Sequence, residues 1–429
     1  MRASLFLVGL TTLCTSCNAY DLFSLSGYQQ DTFSNRADVL FVIDNSTSMV
    51  EESVDLALNF GGFIEDLSAR ESNTGRNGVG DAVASYISYV DDRAAFVDYQ
   101  FAITTTDVDK QAGAYSVTVQ RGDSDVAETF TNGLLCDATC FTNPQSLGND
   151  PSYLCGEPLS EQEEVTTQYL ECVCGSVEAW LDNCGSAKEE ALEAVFLAMC
   201  RAVENPPEEC FDGFEIDGEV FEPAFTEDDV LSNEGLLRDN STFLPVIVTD
   251  EGDDSRREAG QEKIPEAYLE LFSRFRQRMA WVVIGPALNE DLSTACPGPA
   301  TSWGSFRYEY LVYDSNGLKI DITDGDCENT EFRAALDSLG DLLQNLSTTF
   351  PLSSVPIKET LQVAIDDKPV ERATEEGLDR LGLPVYSDGW TYRADENAVV
   401  FHGSAIPSPN ADVRVYYLPL DGMPRELPF

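Results

Sequence analysis

Histidine is almost missing from this chain: His402 stands alone among 429 residues. That scarcity excludes His-rich zinc sites and the Ser/His/Asp arrangement of many hydrolases, since both need imidazole beside their other groups. Basic residues are also few, with 26 Lys plus Arg against 76 Asp plus Glu and a formal net charge of −50. Nucleic-acid backbones and anionic lipid surfaces are recognised through basic patches, so neither is expected as a partner. The same excess of carboxylate suits a protein that handles cations, or one that stays soluble in saline surroundings. The chain shows no internal repeat and no phosphate-cradling glycine loop. Beyond its first residues it has no run of about 18 apolar residues such as a membrane-spanning helix requires.

What is present suffices for a folded core: 43% of residues are hydrophobic and 10% aromatic. At about 100 to 200 residues per domain, the length allows two or three domains. Residues 1–17 read as an export signal, with Arg2 ahead of an apolar stretch containing Leu5, Phe6, Leu7, Val8 and Leu10. Its end, Cys14-Thr15-Ser16-Cys17, resembles a bacterial lipoprotein processing site in which Cys17 becomes the lipidated first residue. Ordinary signal cleavage is the alternative, because Cys14 stands where an aliphatic residue is usual. On this reading the protein is exported to the cell envelope and meets the membrane through a lipid anchor only.

Ten cysteines remain after the signal: Cys136, Cys140, Cys155, Cys172, Cys174, Cys184, Cys200, Cys210, Cys296 and Cys327. An even set in an exported chain favours disulfides. Eight of the ten lie between residues 136 and 210, in a Gly-, Pro-, Asn- and Thr-rich stretch that reads as a stapled excursion. Cys296 and Cys327 are expected to pair with each other. A zinc site using Cys172, Cys174 and Cys184 is the competing reading.

A polar linker over residues 18–36 precedes the strongest core signal. Ala37 to Ile43 form an apolar, β-branched run that reads as a buried strand of a parallel sheet. It ends at Asp44, and after a short polar loop Met49, Leu56, Phe60, Phe63, Ile64 and Leu67 recur at helical spacing. A loop joining strand end to helix start is where α/β sheets bind ligands. Within it, Asp44, Ser46 and Ser48 make the pattern D-x-S-x-S, which resembles the metal-ion-dependent adhesion site of von Willebrand factor type A (vWA) domains. A hard divalent cation such as Mg²⁺ takes about six oxygens and keeps some waters, so hydroxyls and carboxylates from separate loops can hold it and leave one position for a partner's acid.

The resemblance implies two further loops. Phe243 to Val248 read as a strand running into Thr249-Asp250-Glu251-Gly252, similar to the family's T-D-G turn with one residue inserted, so Asp250 is the implied ligand. The second loop implies a hydroxyl from Ser186, just ahead of a helical stretch at Glu189 to Met199; Thr104, Thr105 and Thr106 are rival donors. The resemblance covers residues 37–350 with an insertion at 110–183. It implies a doubly wound, mostly parallel Rossmann-like sheet with helices on both faces. Pattern alone adds a helix at 265–279, strands at Ala280 to Ile284 and Tyr308 to Tyr313, and a closing helix at Phe332 to Leu346. Residues 355–429 alternate short apolar runs with turns, including Asp366-Asp367, and read as a small β-rich, sandwich-like domain in which His402 is an ordinary strand residue.

The implied function is non-enzymatic. The protein would capture an acidic group, an Asp or Glu carboxylate, on a protein partner through Mg²⁺, with Mn²⁺ or Ca²⁺ as alternatives, held by Asp44, Ser46, Ser48, Ser186 and Asp250. A structural envelope protein whose metal only stabilises the fold is the alternative. A phosphotransferase of the haloacid dehalogenase type is disfavoured, because that chemistry needs an acid where Ser46 stands. Asp250, Glu251, Asp253 and Asp254 with Asp107 and Asp109 could form a second cation site, although solvated acidic loops are the default. The sequons at Asn45, Asn240 and Asn345 are read as incidental.

Overall fold

The computed structural model describes residues 29–33, 36–46, 49–69, 98–138, 170–176, 189–216, 219–221, 223–239, 241–255, 264–275, 278–285, 305–315, 317–321, 332–378, 384–394, 397–408 and 411–420. The readings that fall on Cys17, Ser48, Ser186, Cys140, Cys155, Cys184, Cys296 and Cys327 lie outside the described residues.

A short strand, β1 (Gln29–Phe33), precedes β2 (Arg36–Ile43), whose residues after Arg36 are all buried. A β-branched and aromatic run of this kind suits a strand covered on both faces. There follow α1 (Val50–Ala69), β3 (Asp98–Thr105), β4 (Val117–Gln120), α2 (Val126–Ala138), α3 (Ala191–Cys200) and the hairpin of β5 (Phe214–Ile216) with β6 (Glu219–Phe221). Next come β7 (Thr242–Val248), α4 (Ile264–Ser273), β8 (Arg278–Met279), β9 (Val282–Gly285), α5 (Ser305–Ser315), β10 (Leu318–Asp321) and α6 (Phe332–Thr348).

Seven of these strands form one sheet in the order β10-β9-β7-β2-β3-β4, with β8 beside β7. Its pairings are parallel except that of β3 with β4. After β2 the chain moves outward through β3 and β4, then crosses back to lay β7 on the other side of β2. Such a reversal opens a crevice at the C-terminal strand ends, here those of β2 and β7.

Alternation along β2 divides the core in two. Val39, Phe41 and Ile43 face α1, α2 and α6, meeting Phe60, Phe130 and Leu339 among others. Leu40 and Val42 face α3, α4 and α5, where Phe196, Tyr268, Phe272 and Leu311 pack. On the first face the Phe60 and Phe130 rings stack with centroids 3.9 Å apart. On the second, every residue of α3 is buried, as expected of a helix apolar nearly all round. Its one charge, Glu193, accepts the Tyr268 hydroxyl at 2.5 Å.

The C-terminal region adds β11 (Thr349–Pro351), β12 (Gln362–Ile365), β13 (Lys368–Val370), β14 (Glu375–Leu378), β15 (Pro384–Tyr386), β16 (Gly389–Arg393), β17 (Ala398–His402) and β18 (Val413–Tyr417). They form antiparallel sheets ordered β1-β18-β12-β13 and β11-β17-β16, with β14 and β15 as a separate pair. Residues of both larger sheets share one apolar cluster, including Phe350, Val363, Trp390, Phe401 and Val415. The expected turn at Asp366-Asp367 joins β12 to β13, with both residues at positive φ. His402 is the expected strand residue, its Nε2 2.7 Å from the Thr391 hydroxyl.

Some sequence expectations are corrected. Residues 29–33, read within the linker, form β1 and pair with β18. The polar sequence hides a strand because Asp31 is satisfied by partners distant in the chain, accepting from Ser353 and Tyr417, while Phe33 joins the apolar cluster. Tyr308 to Tyr313, read as a strand, belongs to α5, and the strand that follows it, β10, was not read. The helix expected to run to 279 stops at Ser273, and Met279 pairs with Phe243 of β7.

Two bridges are described, Cys136–Cys174 and Cys200–Cys210, with Cα separations of 5.1 and 5.9 Å. Cys172 is disulfide-bonded too. The zinc reading therefore falls, since a cysteine in a disulfide offers no thiolate. Bridges of this kind fit an oxidising, non-cytoplasmic compartment. Among the described residues no helix is long and apolar enough to cross a membrane.

Candidate functional site

Asp44 lies at the end of β2, beside β7, where the strand order reverses. Its N–H donates to Val248 O at 2.9 Å, and Thr106 N–H donates to Ile43 O at 3.0 Å, so both parallel ladders continue one residue past their strands. Ile43 pairs with Thr105 on one side and Val248 on the other. Asp44 accordingly stands between Thr106 and Thr249.

The Asp44 carboxylate is fully buried. Oδ1 accepts the Ser46 N–H at 2.9 Å, an Asx-type turn that sets the start of the loop and draws in Asn45 and Ser46. Oδ2 accepts the Thr249 hydroxyl at 2.7 Å, and that hydroxyl accepts the Glu251 N–H at 3.0 Å, so one oxygen couples the two loops. Burial pushes the Asp44 carboxyl up, against the pull of its bonds from Thr249 and Ser46. Thr105 and Thr106 carry buried hydroxyls with no hydrogen-bond partner among the described residues.

The loop before α3 closes the site from the side. Glu190 N–H donates to Thr106 O at 3.2 Å, and Asp254 N–H donates to Glu189 O at 2.6 Å, so Glu189 is fixed between the ends of β3 and β7. Only 6% of Glu189 is exposed. Burial, then the charges of Asp44, Glu251 and Asp254, push its carboxyl up to about 8. Burial, then Asp250, Asp44 and Asp254, push Glu251 up to about 7. Asp250 and Glu251 are half-buried and Asp254 is exposed, so the acidic mouth opens to solvent above a buried floor. The donors are all oxygen, a set that suits a hard divalent cation.

Asp253 turns away from this mouth. It is fully buried and accepts Arg307 Nη1 at 2.7 Å and Leu192 N–H at 3.1 Å. Burial raises its carboxyl, with Arg307 the main opposing influence. Ser255 Oγ accepts Glu193 N–H at 3.0 Å, so the loop after β7 caps α3. The second cation site weighed as an alternative in the sequence thus loses Asp253. Asp107 is also withdrawn, buried and accepting Lys110 N–H at 3.2 Å. No three carboxylate, imidazole or thiolate groups converge on one point among the described residues. Tyr308 lies beneath the same region, its hydroxyl buried without a hydrogen-bond partner among the described residues. Burial and then the charge of Asp253 hold the phenol well above its usual range, and Asp44 and Glu189 add to that effect.

Of the residues marked in the sequence, Asp44, Ser46 and Asp250 are described; Ser48 and Ser186 are not. Glu189, Thr249, Arg307 and Tyr308 were not singled out as site residues. Two of them carried a signal: Thr249 opens the T-D-G-like turn, and Glu189 is one of two acids just ahead of an apolar helix.

No family model matches the chain, and no curated protein matches it. Among solved structures, proximal thread matrix protein 1 (PTMP1) from the mussel byssus is similar over 76% of this chain and 52% of its own, with 11% identity and a TM-score of 0.29. The human COPII-coat protein Sec24c is similar over 91% of this chain and 41% of its own, with 10% identity and a TM-score of 0.29. The chain thus spans about half the length of the first and two fifths of the second. At those scores neither likeness carries an argument about function.

Proposed function

We propose that this chain is an exported, non-enzymatic binding protein with a doubly wound vWA-type sheet, which captures an acidic group of a protein partner through a divalent cation. Asp44, Ser46, Ser48, Ser186 and Asp250 hold the ion, Mg²⁺ before Mn²⁺ or Ca²⁺, and Cys17 carries a lipid that keeps the protein at the cell envelope. The observation that carries the reading is Asp44, a buried carboxylate at the sheet's reversal point whose charge is felt by both Glu189 and Glu251. Arg307, buried on the same side of the sheet, is engaged with Asp253. A bound cation neutralises such a cluster and lets a strongly negative surface accept a carboxylate.

The burial of Asp44 also favours a second reading, in which the cation serves only to stabilise the fold. Calorimetric titration of the mature chain with Mg²⁺ and Mn²⁺ in high salt, beside Asp44→Ala, tests the site. Binding is expected in the parent and not in the variant; equal binding would mean nonspecific uptake by the acidic surface. If stripping the ion lowers the melting temperature but leaves partner capture intact, the second reading holds.

A further inference from the structure

We infer that the cation is held between Asp44, the Thr106 hydroxyl and the Glu189 carboxylate, so that the end of β3 and the loop before α3 supply ligands that the D-x-S-x-S pattern does not contain. The inference rests on the proposed cation site and names further ligands for it.

Three strand ends lie side by side there, each about 4.8 Å from the next as neighbouring strands require. Because the ladders continue in register, Thr106, Asp44 and Thr249 share one face, the face on which α3 packs. Thr249 spends its hydroxyl on Asp44 Oδ2. Thr106, the matching residue on the opposite side, is fully buried, and its hydroxyl has no hydrogen-bond partner among the described residues. A buried hydroxyl left unsatisfied is unfavourable, and proteins keep one where something else completes it. Thr105 also has an unpartnered hydroxyl, but its side chain alternates to the opposite face, that of α1 and α2.

Glu189 reaches the same spot from the other direction. The Glu190-to-Thr106 and Asp254-to-Glu189 backbone bonds tie this segment to Thr106 and to the loop that follows Thr249, and Glu189 is almost entirely buried there. Two carboxylates and a hydroxyl, all buried, are thus carried by three segments that are tied together beside Asp44. An oxygen-only set with two negative charges is of the kind that binds Mg²⁺, Mn²⁺ or Ca²⁺.

The test is Mn²⁺ titration by calorimetry of the full mature chain and of Asp44→Ala, Thr106→Val, Thr106→Ser, Glu189→Gln and Ser186→Ala, with melting temperatures in chelator. Thr106→Val and Glu189→Gln are each expected to weaken Mn²⁺ binding roughly tenfold or more, as loss of a ligand does. Thr106→Ser keeps the hydroxyl and should retain affinity. In chelator, Thr106→Val should melt higher than the parent, because an unsatisfied buried hydroxyl has been replaced by a methyl group. A merely structural Thr106 would give no such opposite movement of stability and affinity. Parent-like affinity in Thr106→Val and Glu189→Gln, with loss in Asp44→Ala and Ser186→Ala, would overturn the inference and leave the proposed function standing. Undiminished affinity in Asp44→Ala would overturn both.

Discussion

Glu189 and Glu251 are carboxylates drawn out of solvent and held close to other carboxylates, and their titration is a measure of that burial first and of the crowding second. In the metal-free chain they titrate near about 8 and about 7, against an ordinary 4.5. Between those limits the folded state binds more protons than the unfolded chain, so stability falls as the pH rises through the window. In chelator, the melting temperature is expected to decline from about pH 5 to about pH 8, and Glu189→Gln should flatten the upper part of that decline. A flat profile in the parent would mean that the two acids are neither buried nor crowded in the folded chain. Asp44 was legible in the sequence because a buried strand and a D-x-S-x-S loop are both local signals. Glu189 and Thr106 become its neighbours only through pairings of distant segments, which no local pattern encodes.

At the scale of elements, α3 depends on a loop remote in sequence. Its N-cap residue, Glu190, makes no side-chain capping bond, and Asp253 and Ser255 bond its first N–H groups instead. Arg307 of α5 holds that loop by bonding Asp253 Oδ2 at 2.7 Å, Asp253 O at 2.6 Å and Ser255 O at 2.9 Å. Removing one member of a buried ion pair leaves the other uncompensated, so Arg307→Leu is expected to destabilise by about 3–5 kcal/mol. Urea unfolding measures this, and a loss under about 1 kcal/mol would mean that Asp253 is solvated after all. The sequence hid this clamp because α5 reads as a strand. Tyr308 to Tyr313 is rich in aromatics, but burial falls on Tyr308 and Leu311, three apart, while Tyr313 is 87% exposed. Helical spacing was present, and the β-forming composition masked it. The parallel strands β2 and β7 were easier to recognise, being continuous apolar runs buried on both faces.

For the molecule as a whole, the antiparallel sheets are closed by a strand from the opposite end of the described chain. β1 pairs with β18 from Gln29↔Tyr417 to Phe33↔Val413. Phe33 meets Phe350 at 5.4 Å, and the Arg278 guanidinium of the central sheet lies 5.8 Å from the Phe33 ring centroid. This one side chain therefore joins the apolar cluster of the antiparallel sheets to β8. Loss of a buried phenylalanine typically costs about 3–5 kcal/mol, so Phe33→Ala should loosen β1 and uncover the edge of β18. Hydrogen exchange is the measurement, since it resolves one region from another. Faster exchange is expected in β12, β17 and β18, while β2, β3 and β7 keep their protection, because their core is made by α1 to α6 without Phe33. Equal loosening of the central sheet would mean that the two cores unfold as one cooperative unit. Unchanged exchange in β18 would mean that β1 contributes no stability to the sheet it borders.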